Sequence, residues 1–175
     1  MAGTFGLGSV EVALSPLARF EEFLQSRGKK LTRQKKALVE HVFSRHEHFD
    51  AEVLIAELTR QHAPGSGSEL AGQRVSRPTV YRVLAELVDA GLLRKMTLRG
   101  RTVFEHDYGY PQHDHLYCSR CERLIEFQSD ELARLRDAVA AEHRFQVTGH
   151  RFIITGLCQD CRSATRRGHR PLDRI

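Results

Sequence analysis

Four cysteines in two short pairs constrain this chain more than any other feature. They form two Cys-x-x-Cys motifs, Cys118 with Cys121 and Cys158 with Cys161, and 36 residues separate the motifs. Each motif can offer two thiolates to one metal from a tight turn, and two motifs complete a tetrahedron that leaves no position for water. The spacing predicts a structural Zn²⁺ site. Free thiols or a redox dithiol are the alternatives, but a redox dithiol needs only one motif.

The length and composition limit the class of protein. A chain of 175 residues allows one medium domain or two small ones, and it excludes a large multidomain enzyme. No apolar run approaches the roughly 18 residues that a membrane-spanning helix needs. The N-terminal residues lack a basic segment and include Glu11, which is not typical of a secretory signal. We therefore expect a cytoplasmic protein, in which a reducing environment favours metal-bound cysteines over disulfides.

The net charge of +5 is unevenly distributed along the chain. Residues 1–104 hold 16 basic and 11 acidic residues, residues 105–161 hold 6 and 10, and residues 162–175 hold 5 and 1. A basic first half followed by an acidic middle indicates two domains with different partners. Charge alone does not identify a nucleic acid as a partner, because a net charge of this size is also found on ordinary solvated surfaces.

The first half of the chain shows helical periodicity. Residues 1–14 lack it, and we expect a flexible leader there. Apolar residues at spacings of three and four then predict four helices, and a Gly/Ser-rich loop at 63–75 precedes the last of them. The residues predicted to begin or cap the helices are Pro16, Thr32, Asp50 and Ser76.

Two short β-like segments follow the fourth helix. They cover residues 92–98 and 102–106, and a basic turn at 99–101 joins them. Helices followed by a hairpin are typical of a winged helix-turn-helix domain, which we assign to residues 15–107. In such a domain a late helix can enter the major groove of DNA and the hairpin, or wing, can reach the backbone.

The second half predicts a separate, smaller domain. A Gly/Pro-containing hinge at 108–111 leads into residues 112–161, where strands are predicted at 116–117, 124–127 and 145–157 and a helix at 130–142. The domain is therefore expected to be of the α+β class. The basic tail, residues 162–175, is expected to be mobile.

Two histidines stand just before the first cysteine pair. On an extended strand, His113 and His115 point to the same face, so both imidazoles can reach one ion. A lone histidine is usually a surface or packing residue, but this pair lies three residues before a predicted zinc motif. We therefore interpret both as metal ligands.

These motifs together resemble the ferric uptake regulator (Fur) family of metal-dependent bacterial repressors, in the family's order over roughly residues 15–161. The matching pieces are Leu31–Gln34, His48–Glu52, Ser76–Leu84, Gly91–Leu93, Val103–Glu105, His113–Cys121, Ile125–Phe127, His150 and Gly156–Cys161. The resemblance implies a homodimer with N-terminal winged-helix DNA-binding domains and C-terminal α/β dimerisation domains.

The resemblance also implies a regulatory metal site. Its positions fall on His48, Glu105, His113, His115 and Glu126. One ion bound to all five would hold the two domains in a fixed relation and favour operator binding by the dimer. Mixed histidine and carboxylate ligands suit Fe²⁺, Mn²⁺, Co²⁺, Ni²⁺ or Zn²⁺. The chain has Glu126 where the peroxide-sensing branch typically has Asp, and it has no fifth cysteine for a zinc sensor, so iron sensing is the expectation.

A third metal site of the family is only half present. Its positions hold Gln112, Asp114, Ala133 and His150, so that Asp114 and His150 are the two ligand-type residues. We expect no metal there unless Glu131 takes the place of the missing glutamate.

The resemblance and the basic residues also suggest how DNA is contacted. Tyr81 and Arg82 match the family's DNA-contacting pair, and their chemistry suits a thymine methyl group and a phosphate or guanine edge, respectively. The remaining predicted DNA-binding residues are Arg77, Thr79, Lys30 and Lys35. Tyr81 could instead cap the core, and Arg82 could instead be a solvated surface residue.

An enzyme is the alternative from a different class. A zinc-dependent hydrolase or deaminase needs an open zinc position and a general base, and a deaminase usually shows His-x-Glu before Pro-Cys-x-x-Cys. Here Tyr117 precedes Cys118, and the four cysteines are accounted for by one closed site. We therefore expect a regulator without catalytic residues.

Overall fold

The computed structural model describes residues 11–44, 48–61 and 75–168. The chain divides into two compact units, an N-terminal one that ends at Tyr110 and a C-terminal one that begins at Pro111. This boundary falls within the predicted hinge. Most of the predicted leader, nearly all of the predicted loop at 63–75 and the tail from residue 169 lie outside the described residues.

The described part of the N-terminal unit contains four helices, and each begins where a side chain caps it. The hydroxyls of Ser15, Thr32 and Ser76 accept backbone N–H groups three residues further on, and Asp50 Oδ1 accepts the N–H of Val53 at 2.7 Å. The helices are α1 (Pro16–Ser26), α2 (Arg33–Phe43), α3 (Ala51–Gln61) and α4 (Arg77–Asp89).

A three-stranded antiparallel sheet completes this unit. Its strands, β1 (Phe49–Asp50), β2 (Leu93–Leu98) and β3 (Arg101–His106), lie in the order β1-β3-β2. The hairpin turn consists of Arg99 and Gly100, both with positive φ. Arg101 was predicted to belong to this turn, but it begins β3 and pairs with Leu98. The two-residue β1 was not predicted, because a strand of this length has no periodicity to detect.

Apolar side chains from all four helices meet the sheet in one core. Burial of each large side chain contributes up to about 1.5–3 kcal/mol to the free energy of folding. The fully buried ones include Phe20, Leu24, Leu38, Val39, Leu54, Val80, Val83, Leu84, Leu87 and Leu92. The predicted inward stripe of α4 is thus confirmed.

A buried ion cluster lies beside this core. Glu86, which the helical pattern of α4 places away from the apolar stripe, is 6% exposed, and its carboxylate accepts from Lys29 Nζ and Lys35 Nζ at 2.8 Å each. The Lys35 side chain is therefore directed into the protein, whereas the sequence led us to expect it at the DNA surface. The pattern could not show this, because the partner of Lys35 lies 51 residues away.

The C-terminal unit contains a second three-stranded sheet and two helices, as expected of an α+β chain. Strand β4 (Asp114–Cys118) lies between β5 (Leu124–Phe127), which is antiparallel to it, and β6 (Ile153–Gly156), which is parallel. The helices are α5 (Asp130–Glu142) and α6 (Gln159–Gly168). Strand β6 is much shorter than the predicted 145–157. Residues 162–168, predicted to belong to a mobile tail, continue α6.

No helix among the described residues is long and apolar enough to cross a lipid bilayer.

Candidate metal centres and DNA-facing surface

The four cysteine side chains converge in the C-terminal unit. Cys118 ends β4 and Cys121 lies in the turn that follows it, while Cys158 directly precedes α6 and Cys161 lies in its first turn. All four sulfurs lie within 4.8 Å of one another, and the Cys121 and Cys158 sulfurs are 3.7 Å apart. Sulfurs in a tetrahedron around zinc, with Zn–S bonds of about 2.3 Å, are separated by about 3.8 Å. The cluster therefore fits a closed four-sulfur zinc site.

The ionisation of these thiols also suits a cation. Backbone N–H groups of Cys121, Cys158 and Arg120 lower the pKa of Cys118 to about 5, so this sulfur is a thiolate at neutral pH. The pKa of Cys161 is raised to about 12, because burial and the three neighbouring sulfurs disfavour another negative charge. A divalent cation among the sulfurs would remove that repulsion and stabilise all four thiolates.

Hydrogen bonds hold together the two segments that carry the cysteines. The Ser119 N–H and hydroxyl both donate to the carbonyl of Gly156, at 2.8 and 3.2 Å, and Arg120 Nη1 donates to the carbonyl of Cys161 at 2.9 Å. These contacts join residues about 40 positions apart in sequence and fix the relative positions of the two Cys-x-x-Cys motifs.

A second set of ligand-type residues lies at the other end of β4. His115 is opposite Glu126 in the β4–β5 register, and His113 precedes the strand with its ring centroid 4.9 Å from that of His115. His113 Nδ1 lies 3.0 Å from the carbonyl of Pro111, which can only accept. Nδ1 therefore carries the proton, and Nε2, 3.8 Å from a Glu126 oxygen, presents the lone pair that a metal binds.

The remaining two predicted regulatory ligands are neighbours in the N-terminal unit. His48 immediately precedes β1, Glu105 lies on β3, and the pairing of Phe49 with Phe104 brings the two residues together. His48 Nε2 is 3.2 Å from Glu105 Oε2, and both side chains are largely buried. An imidazole and a carboxylate at this distance make a typical pair of ligands for a divalent metal.

At the predicted third metal site, an arginine side chain lies beside the two ligand-type residues. His150 Nε2 lies 3.2 Å from an Asp114 oxygen, and Arg136 Nη1 lies 3.2 Å from His150 Nδ1. Arg136 can only donate and stays charged, so its guanidinium supplies the positive charge next to this pair. Glu131 instead contacts Ser129 and Arg134. Asp114 and His150 thus have protein partners within this unit, and the absence of a metal at these positions stays a prediction.

Helix α4 presents polar side chains to solvent on the faces opposite its buried stripe. Arg77, Tyr81 and Arg82 are exposed, and Thr79 is half-buried beside the capping Ser76. Lys30 is also exposed, in contrast to Lys35. The wing adds exposed basic residues at Arg99 and Arg101, which the basic turn indicated but the site prediction omitted.

The site prediction also omitted Glu52, which contacts this surface. The Glu52 carboxylate accepts from the Tyr81 hydroxyl at 2.7 Å and from Arg77 Nη2 at 2.6 Å. No local pattern signals this contact, because Glu52 lies on α3, 25 residues before Arg77.

The C-terminal unit also exposes an apolar surface. None of the residues of α5 is buried, and the side chains of Leu135 and Phe145 are 61% and 70% exposed. Together with Val139 and Phe152 they line a largely apolar groove. Contiguous apolar surface of this kind marks a protein interaction site.

Comparison with known proteins supports one family. The sequence model of the ferric uptake regulator family matches residues 26–155. The ferric uptake regulation protein of Campylobacter upsaliensis is 31% identical over 150 residues, which cover 86% of this chain and 91% of the relative. The structure of the Vibrio cholerae ferric uptake regulator is similar with a TM-score of 0.60, at 31% identity, over 79% of this chain and 98% of that one. A zinc-bound manganese uptake regulator is similar with a TM-score of 0.54, at 27% identity, over 80% and 98%.

Proposed function

Since this chain belongs to the ferric uptake regulator family of metal-responsive transcriptional regulators, we propose that it is an iron-sensing repressor of the cytoplasm. In this proposal the homodimer binds a double-stranded DNA operator when Fe²⁺ occupies its regulatory site. Members of the family are regulators and not enzymes, which rules out the hydrolase or deaminase alternative.

The observation that carries the proposal is the pairing of ligand-type side chains within each unit. His113, His115 and Glu126 cluster on one unit, and His48 pairs with Glu105 on the other. Neither set alone supplies the four to six ligands that first-row divalent ions usually take. One ion that draws ligands from both sets binds the DNA-competent arrangement more tightly than other arrangements, and this difference in affinity is what allosteric activation requires.

The chemistry of these ligands supports a choice of metal. The set contains three imidazoles, two carboxylates and no thiolate, and the four cysteines of the chain are accounted for by the proposed zinc site. Such a set of ligands suits Fe²⁺, but the later divalent metals also bind nitrogen and oxygen ligands tightly, so affinity alone does not select iron. Mn²⁺ is the second candidate, because one similar structure is that of a manganese uptake regulator. Zn²⁺ and Ni²⁺ sensing and a peroxide response are further alternatives.

DNA recognition is assigned to α4 and its surroundings. Tyr81 and Arg82 are exposed and occupy the family's contacting positions, while Arg77, Thr79 and Lys30 are candidates for contacts to phosphate. Lys35 is left out of this proposal because its ammonium pairs with the buried Glu86.

The proposal is tested by metal analysis joined to DNA binding. Protein purified without chelator should hold about one zinc per chain after mild dialysis against chelator, and it should select a defined sequence from random duplex DNA only when Fe²⁺ is added back under anaerobic conditions. His113→Ala should abolish this metal response and retain the zinc. Arg82→Ala should bind Fe²⁺ normally and lose operator affinity at fixed salt.

One outcome would contradict the proposed metal activation, and another would change the proposed effector metal. Selection of the same DNA sequence without any added metal would contradict a metal-activated repressor. Selection with Mn²⁺ at a much lower free concentration than Fe²⁺ would replace iron by manganese as the effector.

A further inference from the structure

One carboxylate, that of Glu52, contacts two side chains of α4 at once. Its Oε1 accepts from the Tyr81 hydroxyl at 2.7 Å, and both of its oxygens accept from Arg77 Nη2 at 2.6 Å. Glu52 lies in the first turn of α3, where the helix dipole favours a negative charge. The contact therefore connects the two helices of the helix-turn-helix motif.

This contact lies on the outer side of the motif. Arg77 and Tyr81 are four residues apart and share one face of α4, and Tyr81 is 48% exposed. The stripe that includes Val80 and Leu84 is buried in the core. Glu52 thus acts on the exposed face of α4 that carries the proposed DNA contacts.

The charge of Glu52 affects the attraction between this surface and DNA. The hydrogen bond from Tyr81 and the charge of Arg77 hold the pKa of the carboxyl below its ordinary value, so it is ionised at neutral pH. A carboxylate repels DNA phosphates and also neutralises Arg77. Because phosphate contacts account for most sequence-independent affinity, Glu52 reduces binding to arbitrary DNA.

The hydrogen bond also determines what Tyr81 can recognise. A tyrosine hydroxyl has one proton, and here the proton is donated to Glu52. The oxygen then offers only lone pairs, which suit the amino groups of adenine N6 or cytosine N4 in the major groove and not the acceptors of guanine or thymine O4. With Glu52 as a partner, the hydroxyl distinguishes between base edges.

We propose that Glu52 is a specificity-determining residue that positions Tyr81 as a hydrogen-bond acceptor and neutralises Arg77, and so raises the ratio of operator affinity to non-operator affinity. The inference rests on the proposed DNA-binding function and adds to it the residue that sets discrimination.

The test compares two duplexes with a set of variants. The wild-type, metal-loaded dimer first selects its operator from random duplex DNA, and dissociation constants are then measured for that operator and for a scrambled duplex over a range of salt concentrations. In Glu52→Ala, affinity for scrambled DNA should rise several-fold, and the slope of log affinity against log salt concentration should steepen by the equivalent of about one phosphate contact. The ratio of operator affinity to scrambled-DNA affinity should fall about tenfold.

Two further variants separate the two roles of the carboxylate. Tyr81→Phe removes the hydroxyl and leaves the Arg77 pair, so the ratio should fall without a rise in scrambled-DNA affinity. Glu52→Gln removes the charge and can still accept from Tyr81, so scrambled-DNA affinity should rise with a smaller loss of ratio. Glu21→Gln, which removes an exposed charge from α1, is the matched control and should leave the ratio unchanged.

An affinity ratio for Glu52→Ala within twofold of the wild-type value overturns the inference, as does a Tyr81→Phe ratio equal to wild type. Thermal unfolding of each variant verifies that it is folded, and an exposed residue such as Glu52 is not expected to alter it. If the wild-type protein enriches no sequence at all, the proposed function fails, which is a different outcome from a failure of the role given to Glu52.

Discussion

The environment of Glu86 shows how one residue can hold helices together without apolar contact. Burial is the largest influence on this carboxyl and by itself raises its pKa, but the hydrogen bonds and charges of Lys29 and Lys35 outweigh burial, so the pKa lies below the ordinary 4.5. Lys29 is about half exposed and Lys35 is 11% exposed. Solvent therefore screens the ion pair between Lys35 and Glu86 only weakly. Removal of the Lys35 ammonium leaves the negative charge of Glu86 less well compensated.

We expect Lys35→Met to lower the free energy of unfolding by about 2 kcal/mol, less than the full cost of breaking a buried ion pair, because Lys29 still compensates Glu86. Urea unfolding followed by circular dichroism measures the change. Lys36→Met is the control, since Lys36 is 52% exposed and its ion pair among the described residues is a surface contact with Glu40 at 3.7 Å. Equal effects of the two substitutions would contradict a structural role for Lys35.

The lowered pKa of Glu86 predicts a dependence of stability on pH. A carboxyl with a lower pKa in the folded than in the unfolded state contributes stability above the unfolded value of 4.5, and this contribution is lost as the pH falls through the folded pKa. Wild-type protein should therefore lose more stability than Glu86→Gln between pH 5 and pH 3. The urea midpoints of both proteins at each pH provide the measurement, and parallel losses would exclude the effect.

At the scale of elements, local signals predicted most of the fold. Caps at Thr32 and Ser76 and the α4 stripe are encoded within a few residues, and these helices begin directly after the predicted caps. Strand β1 was missed, and the strand predicted at 145–157 begins only at Ile153, because strand pairing depends on partners distant in sequence.

The candidate site shows the same division. Residue types and spacing indicated the cysteines and His113 with His115, while the predicted role of Lys35 and the omission of Glu52 both reflect partners on other helices. A helical pattern gives the face on which a side chain lies. It does not give the side chain from another element that meets it there.

The proposed zinc site depends on β4 and α6 remaining together. Cys121→Ser should reduce bound zinc to well below one per chain and unfold the C-terminal unit at a lower temperature, because a structural zinc contributes folding energy directly. Elemental analysis and calorimetry measure the two effects. Glu122→Gln changes an adjacent residue that offers no sulfur and should retain the zinc. Full zinc content in Cys121→Ser would show that the four sulfurs do not share one ion.

At the scale of the whole molecule, α5 and the segment that precedes β6 form an apolar groove whose side chains are exposed. Homodimerisation is a property of the family, and we expect this groove to form the interface. Leu135→Asp should reduce the mass in sedimentation equilibrium from twice 20.0 kDa towards a single chain. Arg134→Ala, on the same helix with a side chain that is 73% exposed, should remain dimeric. A dimeric Leu135→Asp protein would place the interface elsewhere.

The order in which the chain is synthesised gives β4 a further significance. This strand carries His115 near one end and Cys118 at the other, but the second cysteine pair follows β6 and is made some 40 residues later. On the proposed function, the histidines assigned to sensing are therefore synthesised well before the proposed four-sulfur site can close. We expect a cell short of zinc to make chains whose proposed sensing residues lie on an unsecured strand, so that zinc supply would limit how much of the newly made protein responds to the regulatory metal.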